Sequence, residues 1–161
     1  MPQETGAYGH PVRRHVLAAL GRGGHPKARY VLVTNADNYY APPFLEKMAG
    51  ALDAHPQAIA AYCSRMVHSY PSTQLLTDVP MNAPSAQNLA WGVHPWGVRN
   101  VLLERGHIDC GGVLVRRQAA ATVSWPSDEH SSDWTYFERI LARFGGAGRW
   151  RKVDGCLFVH N

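Results

Sequence analysis

A chain of 161 residues is one domain's worth of protein, and a domain of that size buries roughly 70% of the surface its unfolded chain exposes. Apolar residues make up 45% and charged residues 17%, a balance that excludes a disordered tail, a collagen-like fibre and a long coiled coil. The net charge of +4 comes from 16 basic and 12 acidic residues, thirteen of the basic ones arginine, whose planar fork suits phosphate.

In chain order, Val16, Leu17 and Leu20 share one face of a helix over Val12–Leu20, which Gly21, Gly23 and Gly24 stop. Tyr30–Thr34 is a short β-branched apolar run without alternation, the pattern of a strand covered on both faces of a parallel sheet. It ends in the polar group Asn35-Ala36-Asp37-Asn38. After Pro42-Pro43, the residues Leu45, Met48, Ala49 and Leu52 have helical spacing and run toward Pro56. Ile59–Cys63 is a second apolar run, so strand, helix and strand form a βαβ unit with two parallel strands. The stretch 69–97 carries Pro71, Pro80, Pro84 and Pro95 with little periodicity and reads either as a lid or acceptor-binding loop, with Trp91 and Trp96 able to stack on a ligand, or as a passive surface insertion. Gly112–Val115 is a strand and Arg117–Val123 a short helix. Trp134, Phe137, Leu141 and Phe144 make an amphipathic helix that starts at Ser131-Ser132-Asp133 and stops at Gly145-Gly146. Cys156–Val159 is the last strand, followed by His160-Asn161.

The basic residues occur in scattered pairs, Arg13-Arg14, Arg116-Arg117 and Arg151-Lys152, which form no continuous stripe for nucleic acid. No run approaches the ~18 apolar residues of a membrane span, and Met1–Thr5 lacks a secretion signal. The expected location is the cytoplasm, or the periphery of a membrane, with no transmembrane segment. Cys63, Cys110 and Cys156 are too far apart for a CxxC site, so reduced, mostly buried thiols are expected.

Ligands of open α/β sheets bind beyond the carboxyl ends of the strands, where Asn35 and Asp37 lie. Both could reach one divalent cation from an extended exit, although Asn-x-Asp-Asn is also a good turn sequence. There is no GxGxxG turn, Walker loop or His-Glu-x-x-His helix. A phosphohydrolase with Asp37 as nucleophile lacks an evident second acid and a suitable lysine motif.

The segment Tyr30-Val-Leu-Val-Thr-Asn-Ala-Asp-Asn-Tyr-Tyr-Ala-Pro-Pro-Phe-Leu-Glu-Lys-Met resembles the central part of family 2 glycosyltransferases, where an apolar strand enters an Asp-x-Asp type motif and then a helix opening with Pro-x-Phe-Leu. Asp109-Cys-Gly-Gly-Val-Leu-Val-Arg-Arg resembles the family's glycine-containing strand beside the donor sugar, and Ser132-Asp133-Trp134 its Glu-Asp-Trp type motif. The likeness covers roughly residues 6 to 161. It implies a single α/β domain over 1–161 with a mostly parallel sheet and helices on both faces, the GT-A or Rossmann-like fold. It also implies an N-terminal truncation, because members normally begin with further nucleotide-binding strands.

By the same resemblance Asp133 is the general base, and a helix N-terminus would keep such a carboxylate ionised. Asn35, Asp37, Asn38, Arg13, Gly111 and Gly112 bind the donor, and Trp134 and Trp96 the acceptor. Asp37, Asn35 and His160 hold Mg²⁺ or Mn²⁺, with Asn35 standing where the family has a carboxylate. The implied reaction moves a sugar from a nucleotide-diphospho-sugar to a carbohydrate or other hydroxyl acceptor, with inversion. The alternative is a non-catalytic sugar or nucleotide-diphosphate binding module, a degenerate remnant of such an enzyme. If these residues are the whole protein, an unpaired sheet edge predicts a homo-oligomer.

Overall fold

A computed structural model describes residues 9–68, 98–126 and 132–160. Helix α1 (His10–Gly21) starts behind Gly9 with Pro11 in its first turn, where the missing N–H of proline costs nothing. Strand β1 (Tyr30–Leu32), the two-residue β2 (Tyr39–Tyr40) and α2 (Phe44–Ala54) follow. Then come β3 (Ala60–His68), β4 (Val98–Asn100), a 3₁₀ turn over Cys110–Gly112, and β5 (Val113–Arg116). Helices α3 (Arg117–Ala120) and α4 (Ser132–Arg143) lead to β6 (Trp150–His160).

The expectation of a mostly parallel, Rossmann-like sheet with helices on both faces is wrong. The six strands form one mixed sheet in the order β1-β5-β3-β6-β2, with β4 also on β3, curled into a half-barrel with few helices. Only β3 and β6 pair in parallel; β1/β5, β3/β5, β3/β4 and β2/β6 are antiparallel. The physical reason is the course of β4 and β5. Both run back along one edge of β3, β4 against Arg65–Val67 and β5 against Ala60–Tyr62. Strand β5 thereby lies between β1 and β3, so these two point the same way without pairing. Burial on both faces gives β5 the unbroken apolar run Val113–Val115, and such a run carries no information about a neighbour's direction.

The excursion between β4 and β5, residues 101–112, leaves the sheet and returns through Asp109–Gly112. Register along β3 and β6 breaks twice. Between the pairs Cys63↔Val153 and Arg65↔Cys156, the two residues Asp154 and Gly155 face Ser64 alone; between Cys156 and Phe158, Leu157 is extra. Gly155 supplies a φ of +123° that other residues rarely adopt. The Ser64 hydroxyl accepts from the Gly155 N–H at 3.0 Å and donates to Asp154 Oδ1 at 3.0 Å. Bulges of this kind bend a strand and re-aim its side chains. Here the consequence is that Leu157 and Phe158 are both buried, while His160 is carried to the end of the sheet beside Asp109.

The core is built from Leu17 and Leu20 of α1, Phe44, Met48 and Leu52 of α2, the inner residues of β3 and β5, and Phe137 and Ile140 of α4. Phe44 takes the inward position predicted for Leu45, which is 58% exposed. Trp125, Tyr136, Phe137 and Trp150 make a continuous aromatic row beneath α4. The pair Arg116-Arg117 is structural. Arg116 donates to the carbonyls of Leu52 in the last turn of α2 and of His55 and Ala58 beyond it, and Arg117 to those of Leu20 in the last turn of α1 and of Gly24 beyond it. Cations at these positions satisfy orphan helix carbonyls and complement the dipole.

No helix among the described residues is long and apolar enough to cross a membrane. The 69–97 segment, with Trp91 and Trp96, and the residues Ser131 and Asn161 lie outside the described residues.

Ser64→Ala removes the acceptor that holds Gly155 in the bulge, leaving an N–H without its partner in a part-buried strand. The expected loss is about 1–3 kcal/mol, measured by denaturant unfolding.

Candidate active site

At the carboxyl ends of β1 and β6, where β5 begins, five separate segments of chain meet. The exit of β1 contributes Asn35, whose side-chain oxygen accepts a hydrogen bond from the Arg13 guanidinium of α1. A second terminal nitrogen of Arg13 lies 3.9 Å from Asp133 Oδ1, in the first turn of α4. The other carboxylate oxygen of Asp133 accepts the Cys110 backbone N–H at 3.0 Å. Asp109, one residue earlier, accepts the Gly111 N–H at 2.7 Å through Oδ1, and its Oδ2 lies 3.2 Å from His160 Nε2. Arg13, Asn35, Gly111, Asp133 and His160, five of the residues singled out from the sequence, are thus linked through one cluster.

Gly111 is there because nothing larger fits. A Cβ built on it would lie 2.5 and 2.6 Å from the Phe158 ring and 2.8 Å from Asn38 Nδ2. The same contact brings Asn38 to the cluster; its amide also donates to Thr34 Oγ1 at 3.1 Å. Gly112 is looser, with Phe158 at 3.4 Å and the Cys63 sulfur at 3.5 Å.

Asp37 is placed differently. It is exposed at the tip of the Asn35–Asn38 turn, and no contact among the described residues joins it to Asp133. Trp134 is half-buried against the core.

Asp109 and Cys110 are the members that sequence reasoning left out of the site. Their ligand atoms and those of Asp133 lie within 4.8 Å of one another. Burial, and then the neighbouring Asp133, raise the Asp109 carboxyl above the usual range, with His160 and the Gly111 N–H opposing. Burial, followed by Asp133 and Asp109, pushes the Cys110 thiol well up. The only available signal was the Asp-Cys-Gly-Gly turn itself, in which an acid caps a glycine turn; that the acid would be brought against a second one could not be read locally.

The residues do not suit a divalent cation as they stand. Asn35 presents its oxygen to a guanidinium, His160 faces Asp109, and Asp37 lies apart from both. Of the Asp109, Cys110 and Asp133 group, the two carboxylates are hard oxygen ligands, but a thiol held protonated is a poor partner for Mg²⁺ or Mn²⁺. The carboxylates already face Arg13 and His160. No step below is routed through a metal.

A shallow cleft of about 370 Å³, lined by Ser64, Arg65, Asn100, Lys152 and Asp154, shares no residue with this cluster. In the comparisons with known proteins, no family model matches the chain and no curated protein matches it.

Two outcomes follow from the geometry. Gly111→Ala forces its methyl into Phe158 and is expected to cost about 1–3 kcal/mol, with Gly112→Ala shifting the melting temperature far less. The raised carboxyl of Asp109 sets a sign for pH dependence. Its native form holds a proton that the unfolded chain has released, so its contribution to stability is present below the unfolded pKa of about 3.9 and is lost as pH rises through the higher native value. Asp109→Asn keeps an oxygen for the Gly111 N–H and removes the like-charge contact. Its melting temperature is expected to exceed that of the wild type at pH 7, with the difference closing toward pH 3.

Proposed function

We propose that this cluster is the reaction centre of a glycosyltransferase of the kind the sequence motifs resemble. The observation that supports the reading is the meeting of three motifs at one place. The Asn35–Asn38 exit, the Asp109–Gly112 turn and the first turn of α4 are far apart in sequence, yet Arg13, Asn38 and the Cys110 N–H bridge them.

In this reading Asp133 is the base. The acceptor hydroxyl oxygen attacks the anomeric carbon of the donor as its proton passes to Asp133. The new carbon–oxygen bond forms while the bond to the diphosphate breaks, and the electron pair leaves with the diphosphate, inverting the anomeric centre. A base must come within ~3 Å of the proton it takes, and Asp133 keeps about a quarter of its side chain exposed, which leaves an edge for a hydroxyl to approach. The nucleotide-diphospho-sugar lies along the polar Asn35–Asn38 turn, while the buried Gly111 and Gly112 let Phe158 and Asn38 pack close behind it. Trp134 belongs to the acceptor side.

The engaged state of both acids favours the second reading, a module that binds a nucleotide diphosphate without turnover. Release of nucleoside diphosphate from a panel of nucleotide sugars separates the two. Transfer predicts turnover by the wild type and a fall of roughly 10²- to 10⁴-fold in Asp133→Asn, with nucleoside diphosphate binding unchanged. Binding by both proteins with turnover by neither supports the module instead.

A further inference from the structure

We propose that Arg13 is a positioning residue, which fixes the Asp133 carboxylate against the Asn35 amide and is not a ligand of the donor's phosphates. This rests on the reading of Asp133 as the base. The family resemblance implied a different role, a contact to the donor.

The geometry points to the fork being in use. Its two terminal nitrogens reach different partners, one the Asn35 oxygen and the other Asp133 Oδ1. Its Cζ lies over the Trp125 indole, 5.0 Å from the ring centroid, and only 14% of the side chain is exposed. Trp125 is itself held from the same helix. Its Nε1 donates to His10 Nδ1 at 3.0 Å, and His10 Nε2 lies 3.4 Å from the Ser132 hydroxyl. His10 and Arg13 stand three residues apart, on one face of α1. Together they hold Trp125, Ser132 and Asp133, so the first turn of α4 is fastened to α1 at two neighbouring points.

A lysine cannot reproduce this arrangement. It offers a point charge without the planar fork that presents separate nitrogens to Asn35 and Asp133. Loss of the fork leaves Asp133 fastened only through the Cys110 N–H, free to turn away from an incoming hydroxyl. Misplacement of a reacting group by about 1 Å can cost roughly a hundredfold in rate.

The test uses the full chain with Arg13→Lys, Arg13→Gln and Arg13→Ala. Turnover of the active nucleotide sugar gives kcat and KM, and titration calorimetry with uridine and guanosine diphosphates gives Kd. Positioning predicts a kcat lowered by about tenfold or more in both Lys and Gln variants, with KM for the donor and Kd for the diphosphate within about twofold of wild type. Added methylguanidinium should restore part of the Arg13→Ala activity, which a merely unstable variant would not show. A Kd or KM raised by about tenfold with kcat retained assigns Arg13 to the phosphates and overturns the proposal.

If the wild type turns over no donor, the proposed activity fails, and a stability cycle still decides the contact. Arg13→Gln and Asp133→Asn are melted singly and together. A double loss smaller than the sum of the singles supports the Arg13–Asp133 coupling, and strict additivity contradicts it.

Discussion

Two carboxylates packed beside a buried thiol, with ligand atoms within 4.8 Å of one another, repel when both are ionised, and that repulsion is the constraint around which the rest of the cluster is arranged. Like charges so close disfavour each other's ionisation, and partly buried ones lose the water that would screen them. Each acid therefore has a backbone donor and a cationic or ionisable side chain. Asp133 has the Cys110 N–H and Arg13; Asp109 has the Gly111 N–H and His160. The four come from α1, the turn before β5 and the end of β6, so the fold must bring all three segments together before the pair is tolerable.

The mixed sheet is what brings them together. With β5 running antiparallel between β1 and β3, its starting turn comes to the same edge as the exit of β1 and the end of β6. An all-parallel sheet would place the start of that strand at the opposite edge, away from Asn35 and His160. The two irregularities in β6 complete the arrangement. An unbulged strand would present alternate residues to one face throughout, whereas the extra residues turn Phe158 under Gly111 and bring His160 to Asp109.

Much of this was readable from the residues. The apolar run at Tyr30, the α2 spacing ending at Leu52 and the glycine stop after α4 locate real elements, because burial and turn chemistry are local. Asn35 could be picked out at the exit of a strand, whereas Arg13, Gly111, Asp133 and His160 were singled out by the resemblance of the segments around them to family 2 glycosyltransferases. Strand direction was not legible, since Val113–Val115 looks the same whichever way its neighbours run. The early part of β6 was missed because the charged residues Arg151, Lys152 and Asp154 dilute its pattern. Strands as short as β2 and β4 carry no period at all. Asp109 was passed over for a different reason: its significance depends on Asp133, His160 and the depth of the turn, none of which is encoded near it. The role first given to Arg13 came from the family resemblance, which cannot distinguish a guanidinium awaiting phosphate from one already engaged by Asn35 and Trp125.

The most direct measurement of the central claim is a map of amide chemical-shift changes as a nucleoside diphosphate is added to the isotopically labelled protein. The account predicts that the largest changes fall on residues 35–38 and 109–112, with Asp133 and Trp134 moving only when the sugar is attached. Saturable binding whose changes lie elsewhere, or the absence of any change at millimolar ligand, would contradict it.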